Sequence, residues 1–127
     1  TGDCRGAEQF IGRASKRTAR AERAQSLVEV ANCYYDKDDL AAAWRIYADV
    51  ARTLPDTAAG ENAAYESGRM ALLLGKPEKA TKAFRAYLKA APTGALSAEA
   101  RFRLCTLDAD AQSLLADEKV RHAYLGE

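Results

Sequence analysis

Proline and glycine are scarce in this sequence, with three and eight residues among 127, which argues against a collagenous or disordered chain. Long apolar runs are missing as well. The longest, MALLL at 70–74, is flanked by Arg69 and Lys76 and falls short of the roughly 18 residues that cross a membrane. Neither sign of charge is in clear excess, since the sequence has 19 basic and 18 acidic residues. We therefore predict a folded chain without a transmembrane segment, whose global charge indicates no particular partner.

Cysteine and histidine are too few and too scattered for a metal site. Cys4, Cys33 and Cys105 form no C-x-x-C pair and His122 is the single histidine, so we predict neither a metal nor a cofactor. The favoured interpretation of the cysteines is buried or half-buried free thiols. The alternative is a disulfide between Cys4 and Cys33 that holds the N-terminal segment in place, which requires an oxidising compartment. The sequence leaves both interpretations open.

Strand signals are nearly absent, because valine and isoleucine are sparse and no stretch alternates apolar and polar residues. Good helix formers dominate, and apolar residues recur at spacings of three and four. Pro55, Pro77 and Pro92 interrupt this pattern, and Gly75 stands where a helix is expected to end. These signals predict an all-α chain with helices near 5–23, 24–36, 39–54, 58–74, 77–91, 97–109 and 111–125, of which the first two could be one helix.

The tripeptide AYL occurs at 86–88 and again at 123–125, a spacing of 37 residues. A shift of the whole chain by 37 positions also aligns small residues with small ones, aromatic with aromatic and proline with proline. The aligned pairs include Ala31 with Gly68, Ala43 with Ala80, Tyr47 with Phe84 and Pro55 with Pro92. A chance recurrence of AYL does not explain these further matches, so the chain is predicted to repeat a helix–turn–helix hairpin.

These residues resemble the tetratricopeptide repeat, in which small residues let two antiparallel helices approach and an aromatic residue fills the space toward the next hairpin. The resemblance implies a right-handed superhelical stack, or solenoid, of about three such hairpins. They span 24–60, 61–97 and 98–127, after an N-terminal basic helix or cap at 1–23. The spacing of 37 exceeds the family's usual period of about 34 residues.

The third unit departs from the family's pattern. In the third unit Asp117 and Arg121 stand where the family has a small and an aromatic residue.

Within the family, the stretch KAFRAYLKAAPTGALSAEARFRL at 82–104 is similar to bacterial cell-envelope proteins, which favours the periplasm or envelope over the cytoplasm. Because the sequence begins at Thr1 rather than Met, we expect it to be a fragment of a longer protein.

The resemblance also implies a binding site, since the first helix of each hairpin lines the concave groove in which this family holds a peptide. The matching partner-binding residues are Asn32, Tyr35, Asn62, Tyr65, Arg69 and Phe102. Asparagines can bond a peptide backbone, aromatic rings can anchor it and an arginine can hold a carboxylate. The alternative is that Tyr65, together with Leu72 and Leu73, simply packs within the stack, with at least one leucine in the core.

The segment RASKRTARAER at 13–23 holds five basic residues and one acid, and Arg13, Arg17 and Arg20 share one face if the segment is helical. This basic patch is either the solvated face of a capping helix or a contact for an acidic protein, anionic lipid or nucleic acid. No aromatic residues are interleaved with the charges, so we expect no nucleic acid as partner.

Together these features predict a non-enzymatic protein-binding scaffold that takes a peptide or partner protein in its concave groove, in bacterial envelope assembly or signalling. One alternative is a set of spacer repeats in a larger regulator with no binding site of their own. Another is a small helical enzyme or ligand carrier, which repeat periodicity argues against. The oligomeric state is not predicted.

Overall fold

The computed structural model describes residues 3–14 and 19–110, which form six helices and no strand. The helices are α1 (Cys4–Ala14), α2 (Arg20–Asp36), α3 (Leu40–Thr53), α4 (Ala58–Leu73), α5 (Pro77–Ala90) and α6, described over 97–110. The prediction of an all-α chain is therefore confirmed for this part of the sequence. None of its helices is long and apolar enough to cross a membrane.

The predicted bounds of the later helices are close to the observed ones because each turn carries a strong local signal. The Asp39 carboxylate accepts a hydrogen bond from the backbone N–H of Ala42 and starts α3, and the Thr57 hydroxyl does the same for Gly60 at the start of α4. Pro77 is the first residue of α5, and Gly75, two positions before it, has a φ of 73°, which glycine adopts without strain. The helix predicted at 111–125 lies outside the described residues.

The predicted bounds of the first two helices are wrong, because Ala19 is not helical and α2 already begins at Arg20. Ala19 precedes α2 with φ −58° and ψ 145°, an extended conformation. The Arg20 side chain then donates hydrogen bonds to the Asp56 carboxylate and to the Thr53 carbonyl oxygen. These contacts come from a segment more than 30 positions away, so local helix propensity cannot reveal them.

Successive helices pack against one another from α1 to α5, and α2 also contacts α4. The core consists of two clusters. The first lies among α2, α3 and α4 and includes Val30, Ile46, Tyr47, Val50 and Met70. The second lies around α4 and α5, reaches α6, and includes Tyr65, Phe84, Tyr87 and Ala100. Trp44 packs against both clusters. The arrangement is consistent with a helical repeat or a helix bundle.

Small residues occupy the predicted close contacts between helices. Ala31, Ala43 and Ala80 are fully buried, and a Cβ atom added to Gly68 would lie 2.6 Å from Cε1 of Phe84. The predicted burial of Tyr47 and Phe84 is confirmed, with 2% and 0% of their surface exposed. Gly68 therefore admits the Phe84 ring where any larger residue would displace it.

The favoured interpretation of the cysteines is wrong. Cys4, in the first turn of α1, forms a disulfide with Cys33 of α2, with the two Cα atoms 5.7 Å apart. Cys105 is a free thiol but is exposed. On α6 the inward positions belong to Ala100, Leu104 and Leu107, which join the second cluster, so the residue after Leu104 points away from it.

Candidate functional site

A groove runs between α3 and α5, which both pack against α4 without closing over it. Its volume is about 530 Å³. Small side chains from all three helices form most of its lining and keep it open. They are Ala48 and Ala51 of α3, Ala64 of α4, and Ala83, Ala86 and Ala90 of α5. We call this feature the alanine groove.

Trp44 of α3 lies at one end of the alanine groove and is the only tryptophan in the chain. Its ring is half-buried, and two ammonium groups from the α5 side lie over it. The Nζ atom of Lys79 is 4.8 Å from the ring centre and that of Lys76 is 5.2 Å away. These are cation–π distances, so the lysines hold the indole in place and bring positive charge to this end of the groove.

Charged side chains along the alanine groove are mostly basic. Arg52, Lys79 and Lys82 contribute to the lining, whereas Glu61 is the one acidic lining residue among the described residues. Arg52 is already paired with Asp49, one helical turn before it on α3. Within residues 3–14 and 19–110, no ion pair involves Lys79 or Lys82, so the unpaired basic side chains of the groove lie on its α5 side.

The alanine groove is not predicted by the sequence. Ala83, Ala86 and Ala90 recur at helical spacing and keep one side of α5 free of large side chains. That spacing was the available signal, but alanine is also the best helix former and its presence needs no groove to explain it.

The six predicted partner-binding residues lie on α2, α4 and α6, a surface we call the first-helix face. Arg69 of α4 lies over Tyr35 of α2, with its guanidinium carbon 4.9 Å from the ring centre. Its Nη1 atom donates a hydrogen bond of 3.4 Å to the Tyr35 hydroxyl, and its Nε atom donates one of 3.0 Å to the Glu66 carboxylate. Glu66 thus already supplies the carboxylate that Arg69 was predicted to take from a peptide.

Tyr65 lies in the second core cluster with 2% of its surface exposed. Its ring therefore packs inside the protein, as the alternative interpretation of this residue predicted. The ring lies 5.3 Å from that of Phe84 and 6.0 Å from that of Tyr87. The Tyr65 hydroxyl accepts a hydrogen bond of 2.7 Å from Nε of Arg103 on α6. Burial raises the pKa of Tyr65 because it disfavours the charged phenolate.

The remaining residues of the first-helix face are open to solvent. Asn32 and Asn62 are exposed, although the side-chain oxygen of Asn32 accepts a hydrogen bond from the Tyr47 hydroxyl. Phe102 of α6 is 71% exposed. Leu73 is exposed and Leu72 is half-buried against the second cluster, so neither leucine lies in the core, where at least one was expected.

The basic patch does not form one helical face. Arg13 is exposed on α1 and Arg20 begins α2, so the two belong to different helices, and Arg17 lies outside the described residues. The Arg20 guanidinium is 2.6 Å from the Asp56 carboxylate, and its hydrogen bond holds the pKa of that carboxyl below its usual value. The correction follows from the extended conformation of Ala19, which the uniformly helix-favouring segment did not reveal.

A second polar cluster attaches α1 to the rest of the molecule. The Glu8 carboxylate accepts hydrogen bonds from Arg45 of α3, at 2.9 Å and 3.3 Å, and from the Tyr34 hydroxyl, at 3.0 Å. The bond from Arg45 is the main reason that the pKa of Glu8 is lowered. This cluster joins α1 to α2 and α3, and the Cys4–Cys33 disulfide joins it to α2; neither had a clear local signal in the sequence.

Among the described residues, no group of three or more His, Cys, Asp or Glu side chains could hold a metal ion. In comparisons with known proteins, no protein-family model, no curated protein and no solved structure matches this chain. The residues and their geometry are therefore the basis for the function proposed below.

Proposed function

We propose that this chain is a non-enzymatic, tetratricopeptide-like interaction module that binds a partner protein, with the alanine groove as its docking site. The observation that carries the proposal is an open apolar groove of about 530 Å³ with the only tryptophan of the chain at one end. Tryptophan is enriched among residues that dominate binding energy. Small residues along the rest of the groove leave room for apolar side chains of a partner.

Side-chain contacts at one repeat spacing support the stacked-hairpin part of the proposal. Four pairs join residues 34 to 38 positions apart: Tyr35 with Arg69, Arg20 with Asp56, Glu8 with Arg45, and Tyr65 with Arg103. In a stack of hairpins, equivalent positions of successive units are neighbours. The right-handed superhelix is part of this proposal.

The disulfide between Cys4 and Cys33 supports an oxidising compartment such as the periplasm or the cell envelope. The proposal therefore includes a partner in that compartment.

The test is co-purification of partners from an envelope extract of the source organism with the wild type and three variants of the chain. Ala86→Gln and Ala90→Gln place longer side chains in the alanine groove at positions that are exposed on α5, so the helix should tolerate them. Ala41→Gln makes the same change at an exposed position of α3 outside the groove. We expect a protein that binds the wild type and Ala41→Gln and is lost from both groove variants.

The first-helix face is a second candidate site for the same function, because Phe102 is 71% exposed there and Asn32 and Asn62 are also accessible. A partner that persists in the groove variants but is lost with Asn32→Ala or Phe102→Ala would place binding on this face. A chain from which no substitution removes any partner fits the alternative of spacer repeats.

A further inference from the structure

We propose that the occupant of the alanine groove is an amphipathic α-helix of the partner protein, with an apolar stripe against the alanines and acidic side chains against Lys79 and Lys82. The inference rests on the function proposed above, and it adds the shape and charge of the partner. Three properties of the groove support this inference: the hydrogen-bonding capacity of its walls, its length and the charges at its border.

The walls favour a helix over an extended peptide. All three walls are helices, whose interior backbone groups are already hydrogen-bonded along the helix. The Ser67 hydroxyl, which also lines the groove, donates to the Ala64 carbonyl oxygen of its own helix. An extended peptide buried here would leave backbone N–H and C=O groups unpaired, whereas a helix pairs its own.

The groove has the length and smoothness that helix packing needs. Along α5 its lining runs from Lys79 to Ala90, which at about 1.5 Å per residue is roughly 16 Å, or three helical turns. Ala83, Ala86 and Ala90 follow one another at spacings of three and four along this length. Rows of small residues form a shallow channel into which the side chains of a second helix can fit at close range.

The charges at the border favour acidic residues on the partner helix. Lys79 and Lys82 line the α5 side, and Lys76 lies beside them over Trp44. On the opposite side the charge of Arg52 is balanced by Asp49, and Glu61 contributes one acid. Since the chain as a whole carries a net charge of only +1, this preference is local to the groove.

The experiment uses synthetic peptides of about 18 residues, long enough to form a helix when bound. One carries a leucine–alanine stripe bordered by glutamates, and the second replaces every glutamate with lysine. A third keeps the acidic composition in scrambled order, and a fourth interrupts the acidic helix with a central proline. Anisotropy of a labelled peptide measures affinity, and the fluorescence of Trp44, the single tryptophan, reports whether binding occurs at the groove.

We expect saturable binding of the acidic helix with a change in Trp44 emission, and affinity at least about tenfold weaker for the three other peptides. The Lys79→Glu/Lys82→Glu double variant should reverse the preference, so that the lysine peptide binds better than the glutamate peptide. Lys89→Glu changes the charge at an exposed position of α5 outside the groove and should keep the wild-type preference. Circular dichroism establishes that both variants are folded.

Three results of the peptide experiment alone would overturn the inference. They are equal affinity for all four peptides, a preference that survives the double variant, and a saturable response of Trp44 to laurate with none to any peptide, which would indicate a carrier of small amphiphiles. A partner captured from the extract and lost in Ala86→Gln, combined with no binding of the acidic peptide, leaves the proposed function intact and refutes the helix. If the wild type and the groove variants capture the partner equally well, the alanine groove is not the docking site.

Discussion

Arg69 covers one face of the Tyr35 ring from 34 positions further along the chain, with 4.9 Å between the guanidinium carbon and the ring centre. Arg103 and Tyr65 have the same relationship at a separation of 38 positions and a distance of 5.9 Å. In both pairs the tyrosine lies on one helix of the first-helix face and the arginine on the next. The two contacts therefore tie α2 to α4 and α4 to α6.

A double-mutant cycle with Tyr35→Leu and Arg69→Met should give a coupling energy of about 0.5–1 kcal/mol, the usual range of a partly exposed cation–π contact. Tyr35→Phe keeps the ring and removes only the long hydrogen bond, so its effect should be smaller than that of Tyr35→Leu. Urea unfolding followed by circular dichroism supplies the free energies. A coupling energy of zero would mean that the two side chains lie side by side without stabilising the α2–α4 contact.

Replacing Gly68 with alanine should lower the free energy of unfolding by about 1–3 kcal/mol, because the added Cβ atom meets the Phe84 ring within 3 Å. Gly12→Ala is the control: none of the described residues that surround α1 comes within 4 Å of a Cβ there, and alanine should stabilise α1 by up to about 1 kcal/mol. Phe84→Leu should relieve part of the cost of Gly68→Ala. If Gly68→Ala is as stable as the wild type, the packing of α4 on α5 has been misassigned.

Removing the disulfide with Cys4→Ala/Cys33→Ala should destabilise the chain by about 2–4 kcal/mol, since the bridge closes a segment of 29 residues in the unfolded state. Thermal unfolding with and without a reducing agent provides the comparison. The wild type should lose stability on reduction and the double variant should not. Cys105→Ala removes an exposed free thiol and should change neither profile. Mass spectrometry that finds three free thiols in the oxidised protein would contradict the bridge.

Burial raises the pKa of Tyr47 from 10.0 to about 12, because the neutral phenol is favoured inside the first cluster. A group with a raised pKa in the folded state contributes stability that is complete below its unfolded pKa. That contribution is lost as the pH rises through the folded value. The free energy of unfolding should therefore fall between about pH 10 and pH 12.

Tyr47→Phe tests this pH dependence. The variant should start from lower stability, because Asn32 loses its hydrogen-bond donor, and should then decline less steeply over the same interval. The decline should not vanish, because burial also raises the pKa values of Tyr34 and Tyr65. Urea unfolding at a series of alkaline pH values measures both slopes, and parallel profiles would show that Tyr47 does not contribute.

The sequence predicts α3, α4 and α5 well because their ends are determined locally by Asp39, Thr57, Gly75 and Pro77. It does not predict where α2 begins, since the side chain of Arg20 finds its partners only after the chain has folded.

Of the two candidate sites, the sequence likewise predicts the first-helix face and does not predict the alanine groove. The predicted repeat assigns six residues to the first-helix face, but a position in that pattern does not say whether a side chain points to a neighbouring helix or to solvent. Tyr65 is in the core and Phe102 is open, although the resemblance assigned both the same role. The alanine groove is created by the separation of α3 and α5, a distance between two helices that no single helix encodes.

Trp44 packs against both core clusters and also lines the alanine groove. A ligand that binds beside it therefore contacts a side chain on which both halves of the folded chain depend. By thermodynamic linkage, such a ligand raises the melting temperature of the described helices as a unit rather than of α3 or α5 alone, and the increase grows with ligand concentration. Thermal shift is accordingly a direct way to screen for the natural partner of this molecule.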